Sequence, residues 1–208
     1  MTQPSPTFIG PDRKRRCSWC SSDPLYIAYH DNAWGRPVTA DNRLYEKLCL
    51  EGFQAGLSWL TILKKREAFR EAFAGFDPLV VARFTTRDVQ RLMRNAGIVR
   101  NTAKIQATIS NARATIKVWD AGMTLSDVIW KHQPSKRRAA PRGYGDIPSF
   151  TPESTALSKE LSKLGFRFVG PTTMYAAMQS LGVVNDHYAS CAFRSASDSG
   201  RSRLIRGR

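Results

Sequence analysis

The chain has 208 residues, 42% of them hydrophobic, which is enough apolar side chain for a core without disulfide staples. Thirty-two Lys and Arg against 17 Asp and Glu give a net charge of +15, the balance expected of a protein that meets a polyanion. No apolar run approaches a membrane span, and the basic cluster at 13–16 follows the first apolar residues, the reverse of a secretory signal; a cytoplasmic chain with no membrane partner is expected.

Residues 1–16 carry Pro, Gly and charge without periodicity and are expected to form a flexible basic arm. Residues 194–208 repeat Ser, Arg and Gly and are expected to form a flexible basic tail, leaving one folded domain over 17–193. Arm and tail hold seven of the net positive charges, so the remaining +8 belongs to the folded part itself.

Asp41 or Asn42 is placed to cap a helix carrying Leu44, Leu48 and Phe53, with Gly52 and Gly56 marking its end. Ser58 opens the next, with Leu60, Leu63, Phe69 and Phe73 at helical spacing. Asp77-Pro78 starts a short helix, and Thr85 with Asp88 makes a capping box for another. Ile105, Ile109, Ala112 and Ile116 stripe a longer helix that stops by Gly122. Thr124 with Asp127 caps a further one. Thr151-Pro152 begins one ending at Gly165, and Thr172 or Thr173 one ending at Gly182. Seven or eight helices, no alternating strand pattern and no internal repeat make the class all-α. The Pro, Gly and Arg-rich stretch 137–150 reads as a loop, either a boundary between helical lobes or a segment that contacts nucleic acid.

Cys17 and His30 stand thirteen apart near one end, and His187 and Cys191 four apart near the other. Two thiolates and two imidazoles are the donor set that tetrahedral zinc prefers, and a site closed by four protein ligands is structural. Two alternatives stand beside this one. Cys17-x2-Cys20 has knuckle spacing and would replace His30 by Cys20, and ordinary burial would leave no metal at all. Cys49, inside Leu48-Cys49-Leu50, reads as core.

Tyr26, Tyr29, Trp34, Phe53 and Trp59 lie close in sequence to Glu51, and a carboxylate among aromatic rings suits a flat, cationic heterocycle. The same grouping also occurs in plain cores. Asn95-Ala96-Gly97-Ile98-Val99-Arg100 joins two predicted helices by a glycine turn and can aim backbone N–H groups at a phosphate, although many helix pairs turn through Gly for packing alone.

Four blocks, CSWCSSDPLYIAYHDNAWGRP, LCLEGFQAGLSWLTILKKREAFREAF, AGIVRNTAKIQATISNARA and GFRFVGPTTMYAAMQSLGVVNDHYASC, resemble, in order, the constitutive bacterial 3-methyladenine DNA glycosylases, the DNA-3-methyladenine glycosylase I family. Agreement over separated long blocks covering about 17–193 is more specific than any single motif. The resemblance implies the helix-hairpin-helix glycosylase fold with one structural zinc joining the N- and C-terminal segments. The implied partner is alkylated double-stranded DNA, acted on by a monomer that releases free 3-methyladenine without a lyase step. Carried over by position, the zinc ligands are Cys17, His30, His187 and Cys191. Glu51 is the base-recognising and catalytic carboxylate, Tyr29 and Trp59 the stacking walls, and Tyr26 and Trp34 the pocket lining. Leu57 is the residue that fills the gap in the duplex, and Gly97, Ile98 and Arg100 form the DNA-binding hairpin.

Ala33, Phe53 and Cys20 depart from the family pattern, the first two at positions where a change would tune pocket polarity. Relatives in the superfamily carry a catalytic Asp downstream of the hairpin, yet 98–119 here contains no Asp or Glu. A base that is already cationic leaves as a neutral molecule and needs little acid assistance, which makes the gap chemically tolerable. The competing expectations are a zinc-stapled DNA-binding protein without catalysis and a glycosylase of different specificity.

Overall fold

A computed structural model describes residues 5–206. Two strands, β1 (Thr7–Ile9) and β2 (Arg15–Cys17), pair antiparallel with Thr7 opposite Cys17. Eleven α-helices follow among the described residues: α1 (Pro24–Asn32), α2 (Asp41–Gln54), α3 (Trp59–Lys64), α4 (Arg66–Ala72), α5 (Pro78–Val81), α6 (Thr86–Arg94), α7 (Thr102–Asp120), α8 (Leu125–Trp130), α9 (Pro152–Lys163), α10 (Pro171–Ser180) and α11 (Arg194–Arg206).

The chain is mostly helical, as its punctuation predicts, with three corrections. The arm is not featureless over its described part, because Arg16, only 5% exposed, is bound by Asp12 at 2.7 Å and Asp31 at 2.7 Å and so draws β2 inward. The tail forms α11, which buries Ser197 and Arg201 on one side. The helix expected from Ser58 is two helices, since Lys65 leaves helical geometry (φ −100°, ψ 2°) with no Gly or Pro to mark the break. Residues 1–4 of the expected arm and 207–208 of the expected tail lie outside the described residues.

The described chain divides into two compact units. The first collects 5–38, 133–149 and 178–206; the second collects 39–132 and 150–177.

The second unit holds a core of Leu44, Tyr45, Leu48, Phe53, Phe69, Phe73 and Phe76, all within 1% of full burial. Phe53 meets the Phe69 ring at 4.6 Å and the Phe73 ring at 6.0 Å, so it packs this core and does not tune a polar pocket. Asp41 caps a different helix from the one predicted: its carboxylate accepts from Leu125 N (2.8 Å), Ser126 N (3.1 Å) and Trp119 Nε1 (2.6 Å), tying the start of α8 and the end of α7 to α2. Thr85–Asp88 and Thr124–Asp127 form the predicted capping boxes.

In the first unit, Asp23 caps α1 by accepting from Leu25 N at 2.9 Å, with Pro24 at the position where a missing N–H costs nothing. Those local choices put His30 on the last turn of α1, facing β2.

Candidate functional site

Cys17 at the end of β2, His30 on α1, and His187 and Cys191 in the turns before α11 converge in the first unit. One ligand atom from each lies within 4.8 Å of every other, and all four residues are buried. Asp31 Oδ1 sits 2.8 Å from His30 Nδ1, which places the ring proton there and leaves the Nε2 lone pair facing Cys191 Sγ at 3.6 Å. Asp31 is itself held by Arg16, so a chain of charge-assisted bonds runs from the hairpin to the imidazole.

His187 Nδ1 faces Cys191 Sγ at 3.4 Å and Cys17 Sγ at 3.7 Å, and burial lowers the pKa of its ring, favouring the neutral form a metal needs. The neighbouring Cys191 sulfur and then burial raise the pKa of Cys17, and the Cys17 thiol lowers that of Cys191. Gly35 makes room for this ring. Its φ is +73°, and a Cβ there would stand 3.0 Å from His187 Nε2. Donor set, burial and a carboxylate behind His30 fit a four-coordinate soft-to-borderline metal ion, while Nε2 of His187 is buried with no hydrogen-bond partner. Cys20 does not join them, because its thiol donates to the Cys17 carbonyl at 3.1 Å.

Aromatic rings enclose the quartet. Trp34 stacks on His30 with centroids 6.2 Å apart and meets His187 edge-on at 4.6 Å. Trp19, which sequence reasoning passed over, meets Tyr26 at 4.9 Å, Trp34 at 5.0 Å and His30 at 5.3 Å. Its only signal was its place two residues after a ligand. Tyr29 is buried on the final turn of α1, and its carbonyl receives the N–H groups of Ala33 and Trp34.

In the second unit, Glu51 is 4% exposed on α2, and Trp59, 8% exposed, is the first residue of α3. Between them lies a side chain the sequence reading did not single out. Lys47, one turn before Glu51, puts Nζ 3.0 Å from Glu51 Oε1 and 3.4 Å from the centroid of the Trp59 ring. Burial pushes its pKa down to about 8, with Glu51 opposing the fall. Carboxylate and indole together therefore already serve as a receptor for a positive charge. Beside them, Glu46 is 2% exposed and takes Arg66 Nε at 2.8 Å and Arg70 Nε at 2.9 Å. Burial pushes its carboxyl up, and the guanidiniums more than reverse that, holding it below the usual range.

Leu57 is 43% exposed, one residue after Gly56 (φ +84°). The turn between α6 and α7 is tight: a Cβ on Gly97 would stand 3.0 Å from Ala68 Cβ, and Lys65 Nζ donates to the Ala96 and Gly97 carbonyls at 3.0 and 3.3 Å. The Gly97 and Ile98 amides are used inside the turn, donating to Asn95 Oδ1 (2.8 Å) and Asn95 O (3.4 Å), and the Ile98 side chain is 2% exposed. These two residues therefore shape the turn instead of offering donors. Arg100 is exposed, and among the described residues no hydrogen bond takes up the amides of Val99 and Arg100.

The fold is mostly helical, with one site that pairs an acid with an indole and another that gathers a Cys/His quartet. The methyladenine glycosylase family model matches residues 19–195, and the chain belongs to that family. It is 51% identical over 179 residues to DNA-3-methyladenine glycosylase 1 of Escherichia coli (strain K12), covering 85% of this chain and 95% of that protein. A crystal structure of 3-methyladenine DNA glycosylase I is similar with a TM-score of 0.82 at 49% identity, over 85% of this chain and 98% of the other. A variant of 3-methyladenine DNA glycosylase I solved in complex with 3-methyladenine has a TM-score of 0.81 at 35% identity, over 86% and 97%. The family match stops at residue 195, so α11 lies almost wholly beyond it.

Proposed function

We propose that this chain is a monofunctional DNA-3-methyladenine glycosylase. It hydrolyses the N-glycosidic bond of 3-methyladenine in alkylated duplex DNA after turning the damaged nucleotide out of the helix. The observation that carries the reading is the cation already seated between Glu51 and the face of Trp59. N3 methylation gives adenine a positive charge that undamaged adenine lacks, and the charged ring takes over the contacts the Lys47 ammonium makes.

The chemistry asks little of the protein beyond that recognition. A cationic base departs as a neutral one, so its bond to C1′ is weak before any catalyst acts, and no acid is needed from 98–119, where none exists. Glu51 accepts from the exocyclic N–H of the base and favours its cationic form, while water attacks C1′. Trp59 stacks on the extruded ring, contributing on the order of 1–3 kcal/mol, and the family resemblance assigns Tyr26, Tyr29 and Trp34 to base binding as well. Leu57 fills the gap left in the duplex and offsets part of the few kcal/mol that unstacking costs. Gly97 and Ile98 hold the hairpin so that the free amides of Val99 and Arg100, with the Arg100 guanidinium, meet a backbone phosphate.

Cys17, His30, His187 and Cys191 would hold one zinc ion, which when bound supplies a crosslink between the two ends of the domain. With four protein ligands it has no open position for water and takes no part in the reaction.

Chromatography of bases released from methylated duplex DNA tests the reading. The chain releases 3-methyladenine, and Glu51→Gln lowers the rate at least tenfold while leaving metal content unchanged. Borohydride traps no covalent complex with the DNA, Lys47 notwithstanding. Tight DNA binding without release of any free base would show a binding protein instead, and full activity in Glu51→Gln would remove that residue from the mechanism.

A further inference from the structure

The first unit contains a second polar site. It is a cleft of about 390 Å³, open to solvent, between the start of the 133–149 segment, the turn at 184–186 and α11. We propose that this cleft binds one phosphate group.

Five cationic side chains line it, Lys136, Arg137, Arg138, Arg194 and Arg201, against two acidic ones, Asp186 and Asp198. Both acids are engaged. Asp186 takes Arg138 Nη1 at 3.8 Å and Gln179 Nε2 at 2.9 Å, and Asp198 faces Arg194 Nε at 3.9 Å. What remains is a surplus of positive charge centred on Arg201.

That residue is the unusual one. It is 5% exposed, its Nε is buried without a hydrogen-bond partner, and among the described residues no ion pair reaches its guanidinium. Burial and the nearby Arg137 both act against its charge and lower its pKa, with Asp198 opposing them. A guanidinium taken out of water needs acceptors, and among the described residues none reaches this one. An anion with several acceptor oxygens in a compact tetrahedron supplies them and neutralises the surplus, which is the match Arg makes with phosphate. Arg137 donates to Ser202 Oγ on α11 and so stands exposed at the rim, placed for a second contact. Asp198 and Arg201 lie beyond the stretch matched by the family, on a helix whose first two residues alone fall inside it.

The phosphate has two sources: inorganic phosphate or a small phosphorylated molecule in solution, or the sugar-phosphate backbone of duplex DNA. Calorimetric titration of the full chain with inorganic phosphate addresses the first, and the salt dependence of binding to an undamaged duplex addresses the second. Neither arm reads base release, so failure here is separable from failure of the glycosylase reading.

Inorganic phosphate binds the wild-type chain and raises its melting temperature, and it binds Arg201→Met and Arg137→Gln at least tenfold more weakly. If DNA is the source, the slope of log affinity against log salt becomes shallower by about one in Arg201→Met; if a free phosphate is, the slope is unchanged. Without phosphate, Arg201→Met melts no lower than wild type, because the substitution removes a buried charge with no partner. The proposal is overturned if both variants bind phosphate and duplex as wild type does. A drop in the melting temperature of phosphate-free Arg201→Met would also overturn it, since the guanidinium would then be a structural element.

Discussion

Glu51→Gln has a consequence for folding that can be worked out from Lys47. In the native protein the Lys47 pKa is about 8, set first by burial and then by Glu51 at 3.0 Å. In the unfolded chain a lysine titrates near 10.4, so between pH ~8 and ~10.4 the unfolded state binds more protons and stability rises with pH. Gln keeps an acceptor beside Nζ but removes the opposing charge, so the native pKa falls further from the usual lysine value. The window in which folding costs a proton then widens downward from pH ~8, and at pH 7 this costs at most about one pH unit, roughly 1.4 kcal/mol of stability. At pH 9 Lys47 is neutral in both native proteins, and this part of the difference vanishes. Urea denaturation of wild type and Glu51→Gln at pH 7 and pH 9 measures it. A stability gap of the same size at both pH values would show that Glu51 does not hold the Lys47 proton, and the cation receptor would lose its physical basis.

Elemental analysis of the purified chain is expected to find one zinc ion, lost in Cys191→Ser and kept in Cys20→Ser, whose thiol is committed to the Cys17 carbonyl; loss of metal from Cys20→Ser would refute the four-ligand set. Asp41→Ala removes the acceptor for two α8 amides and the Trp119 indole and lowers stability by about 2–3 kcal/mol in urea denaturation, and a change under about 0.5 would refute its capping role. Leu57→Ala, at an exposed position, leaves stability within about 0.5 kcal/mol but slows excision severalfold. Unchanged excision would exclude Leu57 from base extrusion.

Local chemistry was the legible part of this fold. Thr85 with Asp88, Thr124 with Asp127 and Thr151 before Pro152 mark helix starts because side chain and backbone satisfy each other within a few residues. The Cys/His quartet was legible for another reason: few residue types bind soft metals, so four of them at the two ends of a domain stand out across 170 residues of separation. Composition misled at α11, where Ser, Arg and Gly describe the exposed side while Ser197 and Arg201 turn inward. Asp41 shows the limit of capping rules, since a carboxylate beside one helix start was recruited by another helix 84 residues away. Lys47 was hidden because a Lys–Glu pair four apart ordinarily decorates a helix surface, and only tertiary packing made this pair buried. Phe53 likewise looked like a pocket residue by its neighbours in sequence and is core by its neighbours in space.

Assembly of the first unit from three separated stretches has a bearing on how the chain matures. A ribosome delivers both stretches of the second unit, 39–132 and 150–177, before His187 and Cys191 emerge, while Cys17 and His30 precede them all. Half a ligand set captures an ion poorly, so loading waits until residue 191 has been made. A nascent protein stalled or truncated short of residue 187 would thus hold Cys17 and His30 without the other two donors.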